Sequence, residues 1–127
     1  MVRPAAKDLT ERELEIMHVF WARGEARIAD IRDGLADAGQ DRAYTTIATL
    51  VRILAEKGFL EQTNEGRPAV YRPARSFEDV SRRMLGEVLD RVFKGSSEEL
   101  LVRLIEQRRL SSKERARLRK ILGEEGS

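Results

Sequence analysis

The 127-residue sequence contains no cysteine and a single histidine. Without cysteine, the chain has no disulfide, no thiolate metal ligand and no cysteine nucleophile. One histidine also leaves a zinc cluster or a serine–histidine catalytic pair without most of its usual groups. These absences predict a protein that has no metal or other cofactor, and they argue against an enzyme.

Long apolar runs are also absent from the sequence. No stretch approaches the ~20 apolar residues of a membrane-spanning helix, and the N-terminal segment MVRPAAKD has no apolar signal-peptide core. We therefore expect a cytoplasmic protein that does not insert into membranes. Hydrophobic residues make up 41% of the chain and charged residues 36%, which favours a soluble, helix-rich protein with a core.

Charge is unevenly distributed along the chain, although the net value is only +2. Residues 1–41 have a net charge of −3, residues 42–75 of +3 and residues 76–127 of +2. Attraction to phosphate needs a local positive surface and not a large total charge. The middle segment is thus the candidate for contact with nucleic acid.

The first predicted helix has clear signals at both ends. Thr10 and Glu13 have the spacing of a capping box, and Leu9 can pack on Leu14 as a hydrophobic staple. Gly24 ends the helix. Its predicted apolar stripe consists of Leu14, Met17, Phe20 and Trp21.

A second, short helix is predicted to run from Ile28 to about Ala38, where Gly39 ends it. The connector before it, residues 25–27, is either a loop or a very short strand. The polar turn after it leads into a third helix, for which Asp41 is the predicted cap. Three consecutive helices with a tight turn between the second and third predict a helix-turn-helix arrangement, in which the later helix contacts DNA.

The third helix, within residues 42–58, has two distinct faces. Its apolar face consists of Ile47, Leu50, Val51 and Leu54, at i, i+3, i+4 and i+7. Its polar face consists of Thr45, Thr46, Thr49 and Arg52. Hydroxyls and a guanidinium, with no acid before Glu56, suit a DNA major groove. The alternative is an ordinary solvated helix face.

A β-hairpin is predicted after the third helix. Residues 59–63 and 69–72 are two short strand-like runs, joined by a turn in which Gly66 is free to adopt a positive φ. Pro68 and Pro73 predict a short hairpin at a sheet edge. Such a hairpin after three helices is the wing of a winged helix. Arg67 at its tip is a candidate for contact with phosphate or the minor groove, or else an ordinary exposed turn arginine.

Residues 76–127 are predicted to form three amphipathic helices, with caps at Ser76, Ser96 and Ser111. A segment this small cannot bury so much apolar surface by itself. We therefore predict a winged-helix domain over residues 1–75 and a helical dimerisation domain over residues 76–127, with packing onto the first domain of the same chain as the alternative. The predicted dimerisation residues are Val80, Met84, Val88, Val92, Leu101, Leu104, Ile105, Leu118, Ile121 and Leu122.

The sequence resembles the penicillinase-repressor family of winged-helix proteins, BlaI/MecI/CopY, over nearly its whole length. The resemblance rests on LTERELEIMHVFW (9–21), AYTTIATLVRILAEKGFL (43–60), VYRP (70–73) and the C-terminal rhythm FKGSSEELLVRLIE…LSSKERARLRKIL. It implies a homodimeric repressor that binds an inverted repeat in double-stranded DNA. The implied DNA-contacting residues are Arg42, Tyr44, Thr45, Thr46, Thr49, Arg52, Arg67 and Arg72. Tyr44 could instead pack beside Ile47.

The resemblance also bears on release from DNA. The copper-responsive branch uses a C-terminal cysteine cluster, which this chain lacks. In the β-lactam-responsive branch, a sensor-linked protease triggers cleavage between an asparagine and a phenylalanine, and the matching pair here is Arg103-Leu104. Arg103-Leu104 is therefore a candidate cleavage site whose two residues differ from the asparagine–phenylalanine pair of that branch. The resemblance does not identify the inducing signal.

Three other functions compete with an operator-binding repressor. A ligand-responsive winged-helix regulator is the nearest alternative. A protein–protein adaptor is disfavoured by the basic segment 42–75. A small hydrolase or nuclease would need convergent carboxylates, but Glu13, Glu99 and Glu114 stand at predicted helix starts.

Overall fold

The computed structural model describes residues 9–125, which divide into two compact units after Ser81. The elements are α1 (Glu11–Arg23), β1 (Ala26–Arg27), α2 (Ile28–Asp37), α3 (Tyr44–Glu56), β2 (Leu60–Gln62), β3 (Val70–Pro73), α4 (Phe77–Arg91), α5 (Ser97–Glu106) and α6 (Ser112–Glu125). The predicted fold class, mainly helical with a winged helix followed by three helices, is confirmed. No helix among the described residues is long and apolar enough to cross a bilayer.

The N-terminus of α1 is capped as predicted. The Thr10 hydroxyl accepts a hydrogen bond from the Glu13 amide at 3.1 Å, and the Glu13 carboxylate accepts one from the Thr10 amide at 2.9 Å. Two of the amides that a helix leaves unpaired at its start are thereby satisfied. Gly24 follows the last turn with φ at 87°, so the predicted stop is also confirmed.

The core of the first unit lies between α1, α2, α3 and the sheet. Its buried apolar residues are Ile16, Met17, Phe20, Ala26, Ile31, Leu35, Ile47, Val51, Leu54, Phe59, Leu60 and Val80. The stripe predicted for α1 is displaced, because Ile16 is buried whereas Leu14 and Trp21 are half-buried. Trp21 has another role: its indole Nε1 donates a hydrogen bond to the Arg75 carbonyl at 2.9 Å, and its ring packs edge-on against Phe77.

The sheet has three antiparallel strands in the order β1-β3-β2, so the short connector before α2 does form a strand. The predicted edge position of the hairpin is wrong for β3, which lies in the middle. Pro73 is tolerated there because β1 pairs only with Val70 and Tyr71, and Pro73 lies beyond its end. Gly66 does not adopt a positive φ, and the turn instead has a cis Arg67–Pro68 peptide bond.

The start of α3 also differs from the prediction. Ala43, not Asp41, is the residue that precedes its first turn, and no side chain caps the helix. The segment before α3 is instead held by an ion pair between Arg42 and Glu15 of α1.

The second unit comprises most of α4 together with α5 and α6. None of residues 82–124 is buried. Ser96 caps α5 through the Glu99 amide at 3.1 Å, and Ser111 and Glu114 form a reciprocal capping box on α6. The units divide inside α4, beyond the predicted boundary at Arg75, and the domain limits stay a prediction.

Candidate nucleic-acid interface

The two faces of α3 differ sharply in burial. Ile47, Val51 and Leu54 are completely buried. The polar face, Thr45, Thr46, Thr49 and Arg52, is exposed along its whole length. Thr49 Oγ1 donates a hydrogen bond to the Thr45 carbonyl at 3.0 Å, which fixes its hydroxyl rotamer. Arg52 forms no ion pair with any residue the structure describes, so its five N–H donors are available to a ligand.

Two ion pairs attach the ends of α3 to α1. Before the helix, an Arg42 guanidinium nitrogen lies 3.2 Å from the Glu15 carboxylate and 2.8 Å from Gln40 Oε1. After it, Lys57 Nζ lies 2.9 Å from the buried carboxylate of Glu13. Because these contacts fix both ends of α3, they set the orientation of its polar face. Arg42 was predicted to contact DNA, and the structure places it half-buried in this internal pair.

We expect Lys57→Met to lower the free energy of unfolding by about 2–3 kcal/mol, because it leaves Glu13 buried without its cation. This is below the ~3–5 kcal/mol of a fully buried pair, since the Lys57 side chain is 20% exposed. Urea denaturation measures the change.

The control is Arg72→Met, which breaks an exposed pair with Glu61 whose side chains are 59% and 47% accessible. Such a pair contributes less than ~1 kcal/mol. Equal losses of stability in the two variants would show that the Glu13–Lys57 pair has no special role in holding α3.

Sequence reasoning missed Arg32, a residue next to the first turn of α3. Its guanidinium lies 5.8 Å from the centre of the Tyr44 ring, a cation–π arrangement. Tyr44 is exposed and lines a groove with Arg67 and Pro68 of the wing. The Tyr44 phenol and the Arg67 guanidinium in this groove can both donate to a phosphate, but the Glu65 carboxylate, which also lines the groove, would repel one. No local sequence pattern identifies Arg32, because it lies outside the apolar stripe of α2, which consists of Ile28, Ile31 and Leu35.

The wing is stabilised by Asn64. Its Oδ1 accepts a hydrogen bond from the Val70 amide at 2.8 Å, and its Nδ2 donates one to the Pro68 carbonyl at 3.1 Å. Arg67 is exposed in this turn, and its contact with phosphate stays a prediction. Arg72 is also exposed, but its Nε donates to Glu61 at 3.0 Å, so part of its charge is neutralised.

The three acids at predicted helix starts, Glu13, Glu99 and Glu114, each contact other groups of the chain. Glu13 belongs to the capping box of α1 and to the ion pair with Lys57. Glu99 lies 3.7 Å from Arg103, and the Glu114 carboxylate accepts a hydrogen bond from the Ser111 amide. Each of the three carboxylates is thus engaged in a helix-capping contact or an ion pair.

The predicted dimerisation residues differ in exposure. Val80 is buried in the core of the first unit, 5% exposed, so it is not available to a partner and its assignment is corrected. Leu104 is half-buried. The others are exposed large apolar side chains: Met84, Val88, Val92, Leu101, Ile105, Leu118, Ile121 and Leu122. The candidate cleavage pair Arg103-Leu104 lies within α5, where Arg103 is held by Glu99 and Glu106.

Comparison with known proteins identifies the family of this chain. The penicillinase repressor family model matches residues 9–124. The methicillin resistance regulatory protein MecI of Staphylococcus aureus (strain N315) is 25% identical over 115 residues, which span 91% of this chain and 93% of MecI. The penicillinase repressor of Bacillus licheniformis is 28% identical over 116 residues, 91% of this chain and 90% of the relative. The transcriptional regulator BlaI of Mycobacterium tuberculosis (strain CDC 1551 / Oshkosh) is 28% identical over 118 residues, 91% of this chain and 83% of BlaI. With a match over almost all of its described residues, the chain belongs to the penicillinase repressor family.

Proposed function

We propose that the protein is a homodimeric transcriptional repressor that binds an inverted-repeat operator in double-stranded DNA. The observation that supports this most strongly is the polar face of α3, exposed and without an acid before Glu56, on a helix whose other face is buried. Threonine hydroxyls and Arg52 can donate to base edges and phosphates, and threonine methyls can contact thymine methyls. The wing, with Arg67 and Arg72, is proposed to contact the adjacent backbone or minor groove.

The second unit supports the homodimer. Ten large apolar side chains between Met84 and Leu122 are exposed, and no residue in 82–124 is buried. An apolar surface of this extent marks an interaction site. A second copy of the same helices would cover it and present two α3 helices to the two halves of an inverted repeat.

Release from the operator would follow from loss of this interface. Cleavage between Arg103 and Leu104 would separate the end of α5 and all of α6 from the rest of the unit. The two half-sites would then be bound by unlinked monomers, and the gain in affinity from linkage would be lost. A sensor-linked protease is the proposed partner for this step. Cysteine-based metal sensing is excluded by composition.

The experiment that tests the function is an electrophoretic shift of genomic fragments by the full chain, followed by a salt titration of the fragment bound most tightly. We expect selective retardation of a few fragments and a linear fall of log Kobs with log salt, with a slope of about −0.9 for each phosphate contacted. A protein that retards no fragment, or binds all equally, would not be an operator-binding repressor, and an adaptor for another protein would then be favoured.

A further inference from the structure

Residues 76–127 have a net charge of only +2, but they include a strongly basic segment. Residues 76–107 contain five basic and seven acidic residues, whereas residues 108–120 contain seven basic residues and one acid, Glu114. The basic residues are Arg108, Arg109, Lys113, Arg115, Arg117, Arg119 and Lys120. A segment of 13 residues with a net charge of +6 has a strong local field even when the whole chain is nearly neutral.

Three of these residues share one face of α6. At 3.6 residues per turn, Lys113, Arg117 and Lys120 fall at i, i+4 and i+7. All three are exposed. We call them the basic face of α6. The apolar residues proposed for the dimer, Leu118, Ile121 and Leu122, lie in a different sector of the helix, so dimerisation would leave the basic face accessible.

No ion pair within the described residues neutralises the basic face, although Glu124 lies four residues after Lys120 on the same side of α6. Two acids of α5, Glu99 and Glu106, are already engaged by Arg103. Like charges at i, i+3 and i, i+4 repel one another and disfavour the helix. A bound polyanion would relieve this repulsion.

We infer that the basic face of α6 binds the sugar–phosphate backbone of duplex DNA independently of sequence, in addition to the operator contact of α3 and the wing. The face extends about 10 Å along the helix axis, and a duplex segment of that length has about six phosphates. A repressor must also find its operator among competing sites, and backbone contacts support sliding along DNA. An anionic membrane fits less well, because Glu114 falls between Leu118 and Ile121 in the apolar sector that would have to enter the lipid.

The test compares two triple variants of the full chain on a 30-base-pair duplex of random sequence. Lys113→Gln/Arg117→Gln/Lys120→Gln removes the basic face, and Arg82→Gln/Arg83→Gln/Arg91→Gln removes the same charge from exposed positions of α4. We expect the first variant to bind about tenfold or more weakly at ~0.1 M salt, with a salt slope smaller by about three per bound chain. The α4 variant should keep the slope of the parent.

Three results would overturn the inference. One is an unchanged slope in the α6 variant, and another is an equal reduction in both variants, which would reflect net charge alone. The third is retained DNA binding with lost binding to vesicles of phosphatidylglycerol and phosphatidylcholine, which would assign the face to a membrane. Sedimentation checks that the variants keep the oligomeric state of the parent. If the triple variant does not, the single variants Lys113→Gln and Lys120→Gln should each lower the slope by about one. The Arg52 experiment below tests the operator contact separately.

Discussion

Replacing both Leu101 and Ile105 in α5 by aspartate is expected to make the protein monomeric and to weaken operator binding by at least about 100-fold. Both side chains are exposed, at 41% and 47%, in a unit that buries none of its residues 82–124. If a second copy covers them, each aspartate places an unpaired charge in an apolar interface. Sedimentation velocity measures the oligomeric state, and fluorescence anisotropy of a labelled operator measures affinity.

The matched control is Ser97→Asp/Gln107→Asp, which adds the same two charges at exposed polar positions near the ends of α5. It should remain dimeric and bind the operator nearly as the parent does. Circular dichroism distinguishes a folded monomer from an unfolded chain. A parent protein that sediments as a monomer, or a Leu101/Ile105 variant that still sediments as a dimer, would contradict the proposed interface.

Arg52→Ala is expected to weaken operator binding by about 1–3 kcal/mol if the guanidinium contacts a base edge, and by less if it contacts only a phosphate. The exposed guanidinium has no ion-pair partner within residues 9–125, so its removal disturbs no internal contact. The free energy of unfolding should therefore be almost unchanged. A base contact would relax sequence preference at one position in each half-site, whereas a phosphate contact would lower affinity uniformly.

The control for this variant is Arg12→Ala, which removes an equal charge from an exposed position of α1. Arg12→Ala should lower operator affinity much less than Arg52→Ala does. Equal binding by the Arg52 variant and the parent at matched salt would show that the polar face of α3 does not contact the operator.

Much of the fold was predictable because its signals are local. The capping box of Thr10 and Glu13, the stop at Gly24 and the apolar spacing of α3 each depend on residues within two turns of one another. Side chains four residues apart meet on one helix face whatever the tertiary structure. For the same reason, the polar face of α3 was assigned correctly as an exposed surface.

The contacts that orient α3 were not predictable from local patterns. Arg42 meets Glu15 across 27 positions of sequence, and Lys57 meets Glu13 across 44. No spacing rule connects residues so far apart, so Arg42 was interpreted only as a DNA contact. Val80 was misassigned for a related reason: helical periodicity shows that a residue is on an apolar face but not which surface covers it.

The strand order of the sheet was likewise not predictable from local sequence patterns. Strand composition predicted the hairpin, but only the folded chain shows that β1 pairs with β3 and makes it the central strand. The proximity of Arg32 to Tyr44 was not predictable either, because it depends on the packing of α2 against α3.

Selection from a pool of random duplexes by the full-length protein tests the central claim most directly, because it requires no knowledge of the operator. We expect the bound sequences to converge on an inverted repeat whose half-sites are one helical turn, ~34–36 Å, or a multiple of it apart. The Arg52→Ala variant should relax one position in both half-sites. Convergence on a single, unrepeated site, or no convergence at all, would contradict a dimeric repressor that contacts its operator through two α3 helices.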